Sequence, residues 1–448
     1  MRRILLAEDR RDSADAAIGD GLRSGDPRIH MIAWRAAQRI RDPKFVLRDS
    51  LPPVAAAVSW PEPAWRLRYR ALTANRGDCG AIRSALADSN WAVRLHAADL
   101  VTPACPDTAM ETTLRRWVDA MPVDVSFHAA GDISWHAAAH ALVALARAFP
   151  DSARPRLAPM AANKDWHVRL YAARAAAALQ DTARLRSLAL DIDWNVAEAA
   201  INALAALTGH GDDATYLRAL HAIGAPAVRA AAIALAGSPR ADVRDSANAT
   251  YAAWRRRDVD ADRDARIALL AAAGRSASED TPSMRRDSIP ADAVALAFGR
   301  ETLLRVTMRA SSGGGTYVVR LRGDVAPIMA ARVLALARQR YYDYGVWHRV
   351  EPDFVIQGGA SGTNEYVGYR RYFRDELGTI PHTRGTIGMS TRGHDTGDAQ
   401  WFVNLKDNPR LTADYTVFAD VVEGMDVIDR ILEGDVVEAV HEELHAHR

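Results

Sequence analysis

A short phrase recurs through the first half of this chain, and it restricts the architectures open to it. Trp166-His167-Val168-Arg169-Leu170-Tyr171-Ala172-Ala173 is followed 28 residues later by Trp194-Asn195-Val196-Ala197-Glu198-Ala199-Ala200. An earlier copy reads Trp91-Ala92-Val93-Arg94-Leu95-His96-Ala97-Ala98, and weaker ones sit near Pro27, Pro226 and Asp242. Polar breaks such as Asp88-Ser89-Asn90 and Asn163-Lys164-Asp165 precede the stronger copies and supply N-cap chemistry. In each copy the Val and the small residues three and four positions on form one narrow apolar face. Such a unit cannot bury its face alone, so neighbours must stack.

The repeats resemble the HEAT family in their polar turn, Val-Arg pair and Ala-rich helix. The resemblance implies an α-solenoid of antiparallel helix pairs over residues 1–274, with protein or peptide as its partner. The stretch from Thr112 to Trp135 does not follow the pattern. The tryptophans at positions 91, 166 and 194 hold a common place in the repeat, so packing or a ridge is expected of them rather than ligand stacking. His30, His96, His128, His136, His140 and His167 have no acid at a persuasive spacing. His136 and His140 are four apart, but Trp135 is not followed by an H-E-x-x-H pattern, so no metal site is expected there.

Composition narrows the classes further. Basic and acidic residues number 57 and 56, giving a formal charge of +1 and no global attraction to nucleic acid or anionic membrane. Hydrophobic residues are 49% and charged residues 25%, ordinary values for a globular chain. No run is long enough for a transmembrane helix, and Ile4 to Ala7 is too short for a signal-peptide core. A cytoplasmic location is the expectation for the chain as given, with a periplasmic or secreted one open if an export signal was removed. Cys79 and Cys105 are not spaced like zinc ligands. A disulfide between them is open, and two small buried thiols are expected.

Residues 275–300 read as a linker and lead-in, with Arg275 to Pro290 rich in Ser, Asp, Arg and Pro. Beyond them the period changes. Leu303–Met308 and Tyr317–Leu321 alternate and flank Gly313-Gly314-Gly315, which predicts a hairpin. Asp324 to Gln339 predicts a helix with Pro327 in its first turn, and Met425 to Ile431 a short final one. Strands with two helices over 301–448 predict a closed β-barrel with helical lids.

Three blocks in this region are similar to the cyclophilin family. Trp347-His348-Arg349-Val350-Glu351-Pro352-Asp353-Phe354-Val355-Ile356-Gln357-Gly358-Gly359 resembles its F-H-R-x-x-x-x-F-x-x-Q-G-G segment. Gly385 to Ser390, leading to Gln400-Trp401-Phe402, resembles its G-x-x-x-M-A and S-Q-F-F stretches. Leu411 to Asp426 resembles its L-D-G-x-x-x-V-F-G-x-V-x-x-G-M-D ending. The resemblance implies peptidyl-prolyl cis-trans isomerisation, with proline-containing peptides or proteins as clients and neither cofactor nor metal.

The reaction is rotation about an Xaa-Pro amide, with a barrier of roughly 18–20 kcal/mol. An acceleration of ~10⁵-fold corresponds to about 7 kcal/mol of transition-state stabilisation. No bond breaks, so neither nucleophile nor proton relay is required. A permanently charged, directional donor suits the prolyl nitrogen as it pyramidalises. The resemblance assigns that role to Arg349, with Gln357, Phe354 and Phe402 as catalytic companions. It assigns peptide binding to Val355, Ser390, Thr391, Gln400, Arg410, Leu411 and Tyr415, and leaves Phe418 in the core. Val355 and Gln357, two apart, face one side of a regular strand. Arg410 stands where many relatives carry a tryptophan that helps bind cyclosporin, which implies weak binding of that drug. Val355, Ser390-Thr391, Asp398-Ala399 and Tyr415 also depart from the family pattern. A proline-peptide binding module without turnover is the alternative.

Overall fold

The computed structural model describes residues 1–41, 55–105, 107–121, 134–222, 224–281, 288–378 and 380–443. They fall into two compact units. One is Pro63–Thr281; the other joins both ends of the chain, Met1–Glu62 with Pro282–Arg448.

The second unit corrects the expected boundaries. Its first helices, α1 (Arg2–Arg10), α2 (Ala16–Leu22) and α3 (Pro27–Arg41), were expected in the solenoid. Instead Ile4, Leu5, Ile18, Ile32 and Ala33 share one buried core with barrel residues such as Leu304, Val306, Leu334 and Phe418. Polar groups explain the attachment. Buried Arg39 donates to the carbonyl oxygens of Val325, Glu376 and Leu377 at 2.8–2.9 Å. Arg35 donates to the carbonyl of Asp324 at 3.1 Å. Glu8 lies between the two arginines at 3.0 and 2.7 Å. Burial works against its charge, but Arg35 and Arg39 outweigh burial and hold its carboxyl down at about 2.

In the Pro63–Thr281 unit the repeat phrase becomes helices. They are α4 (Trp65–Ala74), α5 (Cys79–Ala85), α6 (Trp91–Leu100), α7 (Thr108–Asp119), α8 (Ser134–Ala148), α9 (Pro150–Ala161) and α10 (Trp166–Ala178). Then follow α11 (Thr182–Leu188), α12 (Trp194–Thr208), α13 (Asp213–Ala219), α14 (Ala225–Leu235), α15 (Asp242–Arg255) and α16 (Arg263–Ala272). Asn90, Asp165 and Asp193 cap α6, α10 and α12 through their side chains. The expected narrow face is buried: Val93 and Ala97, Val168 and Ala172, Val196 and Ala200, Val228 and Ala232. The repeated arginine ties turn to turn. Arg169 donates back to the Asn163 carbonyl at 2.9 Å and forward to Asp191 at 2.8 Å. Trp194 packs over Gly224, where an added Cβ would stand 2.6 Å from the indole, which fits the packing role expected of the row.

Several expectations for this unit need correction or bounding. Cys79 and Cys105 are joined as a disulfide with Cα atoms 5.4 Å apart, not two free thiols. The fold brings the start of α5 against the turn after α6, a proximity that spacing alone does not reveal. His140 finds an acid in Asp99 at 2.8 Å, 41 residues away. The irregular stretch from Thr112 begins inside α7, and 122–133, with His128, lie outside the described residues. Of the linker, 282–287 also lie outside them. Its first part folds onto the solenoid, where Asp280 pairs with buried Arg266. A further helix, α17 (Ala291–Ala297), stands in the lead-in.

The barrel strands are β1 (Leu303–Met308), β2 (Thr316–Leu321), β3 (Arg349–Val350), β4 (Val355–Gly358), β5 (Thr386–Met389), β6 (Trp401–Asn404), β7 (Val417–Glu423) and β8 (Val437–Glu443). They form one curled antiparallel sheet in the order β3-β4-β6-β5-β7-β2-β1-β8. Its two edges meet through a bridge between Val346 and Val436 and reciprocal hydrogen bonds of Trp347 with Gly434 and Asp435. The predicted hairpin is β1–β2. The predicted helices are α18 (Pro327–Arg338), with proline in its first turn, and α19 (Met425–Ile428). Alternation sorts the strands: Ile356, Trp401, Val403, Ile387 and Met389 enter the core, and their neighbours face outward to the site.

Candidate active site

One row of paired residues crosses four strands. Arg349 on β3 stands opposite Gln357 on β4, Gln357 opposite Phe402 on β6, and Phe402 opposite Gly388 on β5. Cross-strand neighbours lie close enough to touch, and here they do. Arg349 Nη1 donates to Gln357 Oε1 at 3.2 Å. Gln357 Nε2 donates to Ser390 Oγ at 2.9 Å and to Gln400 Oε1 at 3.1 Å. Gln400 Nε2 in turn holds the carbonyls of Asn364, Glu365 and Val367 at 2.8–3.1 Å. The amide of buried Gln357 is thereby fixed in orientation, with its oxygen toward the guanidinium.

Beside this chain lies an apolar socket. Val355, Phe402 and Leu411 are buried together, with Phe354 and Tyr415 packed against them. Phe402 meets Tyr415 edge-on with ring centres 5.5 Å apart. Arg349 and Arg410 both approach the Phe354 ring, at 5.8 and 4.6 Å from its centre. Phe418 stacks on Trp401 inside the barrel, so it belongs to the core. Thr391 is half-buried next to Ser390 and is not joined to the Arg349 hydrogen-bond chain. Of the other expected residues, Ser390 and Gln400 join the hydrogen-bond chain of Gln357, and Leu411, Tyr415 and Arg410 lie with Val355, Phe402 and Phe354.

Three contributors were not foreseen. His382 lies flat against Phe402 at 5.5 Å, with Nε2 on the Tyr415 carbonyl at 3.1 Å and Nδ1 on Asn404 Nδ2 at 3.0 Å. The Asn404 amide donates to Nδ1, so Nε2 carries the proton. Burial pushes the imidazole down to about 4, outweighing the carbonyl partner, and it is neutral at physiological pH. Gly388 gives Phe402 its space: an added Cβ would lie 2.4 Å from Phe402 Cζ and 2.8 Å from His382 Cε1. Glu351 pairs with Arg349 at 2.8 and 2.5 Å on an exposed rim. The His-to-phenyl spacing is long in sequence, so no local motif marks His382. Gly388 carries no side chain to signal a role.

The arrangement offers a cation, held by Gln357, beside an apolar cluster. It contains, among the described residues, no nucleophile aligned with a base, the pairing that covalent catalysis uses. Among the described residues no group of three or more His, Cys, Asp or Glu is placed to hold a metal. No helix of the described residues is long and apolar enough to cross a membrane.

The barrel is similar in sequence to known proteins. Residues 305–445 match the family described as cyclophilin type peptidyl-prolyl cis-trans isomerase/CLD. A peptidyl-prolyl cis-trans isomerase of Helicobacter pylori is 35% identical over 130 residues, 28% of this chain and 80% of that protein. The isomerase ppi1 of Schizosaccharomyces pombe is 35% identical over 122 residues, 26% of this chain and 79% of that one. One from Acinetobacter baylyi is 34% identical over 125 residues, 26% of this chain and 66% of that protein. The likeness covers the barrel and leaves the solenoid and α1–α3 outside it. Through that barrel, with its arginine, glutamine and phenylalanine in one cross-strand row, the chain belongs to the cyclophilin-type peptidyl-prolyl cis-trans isomerases.

Proposed function

We propose that the whole chain accelerates Xaa-Pro rotation in protein clients, with the solenoid recruiting clients or an assembly partner. The hydrogen bond from Arg349 to Gln357 beside the Val355–Phe402–Leu411 socket carries the reading of the site. A proline ring fills the socket. The amide oxygen of Gln357 fixes the guanidinium, which donates to the prolyl nitrogen as conjugation is lost. Neutral His382 and the bare Gly388 hold Phe402 in place for the ring. No proton is transferred, so the step calls for no titrating group near neutrality.

The solenoid's share rests on its architecture, a stack of helix pairs that presents a long surface for protein contact. The test compares a short Xaa-Pro peptide with a protein whose refolding is limited by proline isomerisation. Excess free 63–281 fragment should slow catalysis of the protein client and leave the peptide rate unchanged. Equal insensitivity of both would remove the solenoid from recruitment. The disulfide Cys79–Cys105 favours an oxidising compartment over the cytoplasm. Thiol counting on protein taken from its host should find both cysteines blocked, and two free thiols would reverse that assignment.

A second reading has one observation in its favour. Glu351 engages Arg349 through Nε and Nη2, which suits a module that binds proline peptides without useful turnover. Turnover measured against an Arg349→Ala variant separates the two.

A further inference from the structure

We infer that Arg410 is a specificity-determining residue, selecting peptides with a carboxylate side chain directly beside the proline. The inference rests on the isomerase reading of the site and goes beyond it to the class of substrate.

Arg410 lies on the turn Pro409–Leu411, whose last residue is buried in the proline socket. Its guanidinium stands 4.6 Å from the centre of the Phe354 ring, which packs against that socket. A stacked guanidinium keeps its charge and loses part of its rotational freedom, so it presents a defined cation at the rim. Two acids flanking Phe354 are committed elsewhere, Glu351 to Arg349 at 2.5 Å and Asp353 to Lys406 at 2.9 Å. Asp407 accepts from the Arg384 backbone N–H at 2.9 Å, and exposed Asp414 forms no ion pair with Arg410. Arg410 makes no ion pair among the described residues. Arg349 approaches the same ring at 5.8 Å but carries its own carboxylate. The socket is therefore bordered by one balanced cation and one unbalanced cation.

A peptide seated by its proline brings its neighbouring side chains to this rim. A carboxylate there completes Arg410 as Glu351 completes Arg349, and a lysine is repelled. At an exposed rim the gain is modest and screened by salt. About a fivefold preference is expected, which is ~1 kcal/mol at 1.4 kcal/mol per tenfold.

The test uses the full chain and blocked Ala-Xaa-Pro-Yaa-Ala peptides carrying Glu, Gln or Lys at Xaa or Yaa, with kcat/KM from NMR exchange. At low salt, Glu over Gln should be about fivefold at one of the two positions, with Lys below Gln. The ratio should fall to near one in Arg410→Gln and at about 0.5 M salt, while Arg410→Lys keeps part of it. A wild-type ratio near one at both positions overturns the inference, as does a ratio unchanged by Arg410→Gln. If wild type turns over no peptide faster than Arg349→Ala, it is the isomerase reading that fails. Chemical-shift titration of the same peptides then decides Arg410. A fivefold difference in Kd that vanishes in Arg410→Gln upholds its role, and equal Kd values overturn it.

Discussion

Arg349 and Gln357 stand directly opposite each other on adjacent antiparallel strands, and the guanidinium donates to the amide oxygen across 3.2 Å. The pairing makes Gln357 a positioning residue. Its amide nitrogen is held by Ser390 and Gln400, so its oxygen cannot turn away from the arginine.

Gln357→Ala should therefore lower kcat/KM about ten- to hundredfold, in line with loss of one hydrogen bond to a charged group. Loss of orientation should appear mainly in kcat, read by NMR exchange on an Xaa-Pro peptide. A KM effect alone would assign Gln357 to ground-state binding.

Gly388→Ala places a methyl where Phe402 and His382 now sit. Overpacking of this kind costs about 1–3 kcal/mol, and the displaced phenyl should close the socket. At least a tenfold loss of kcat/KM with the barrel still folded is expected. An unchanged rate would show that Phe402 can shift without consequence.

The pH profile has a definite sign. Burial holds His382 at about 4, below its unfolded value of 6.5. Its contribution to stability is complete above pH 6.5 and is lost as pH falls from there toward 4, because the unfolded chain takes up the proton first. The peptide isomerisation rate should be level from pH 8 to about 5 and fall with a midpoint near 4. An NMR titration of the His382 ring that shows a midpoint near 6.5 would contradict the buried, neutral assignment.

The attachment of α1–α3 makes another demand. A 282–448 fragment would expose the face that buries Ile4, Leu5 and Ile32, and would free the carbonyls of Val325, Glu376 and Leu377 from Arg39. Water can hydrogen-bond the freed carbonyls, so the main loss is apolar burial, about 25 cal/mol per Å² exposed. The fragment should unfold at markedly lower temperature than the same unit with residues 1–62 supplied. Equal melting points would make the N-terminal helices dispensable.

These relationships differ in how far the sequence reveals them. The Val-x-x-x-Ala face of the repeats was legible because helical periodicity writes burial into local spacing, as Val168 and Ala172 show. Arg349, Gln357 and Phe402 were legible because their strands carry family motifs in order. The place of α1–α3 was not, because their apolar stripe resembles any Ala-rich repeat helix. Only Arg35 and Arg39, buried with Glu8, betray a different neighbour. The disulfide escaped for the same reason: loop closure across 26 residues is a tertiary fact. His382 and Gly388 act through shape beside Phe402, which residue type does not announce.

The most direct test of the account is the isomerisation rate of one Xaa-Pro peptide with wild-type chain and with Arg349→Ala, at equal concentration and neutral pH. Loss of a preorganised donor to developing charge costs about 10²–10³-fold, and a fall in kcat/KM of that size, with the barrel folded, is the predicted result. Equal rates for the two proteins would contradict the central claim that the guanidinium held by Gln357 drives the rotation.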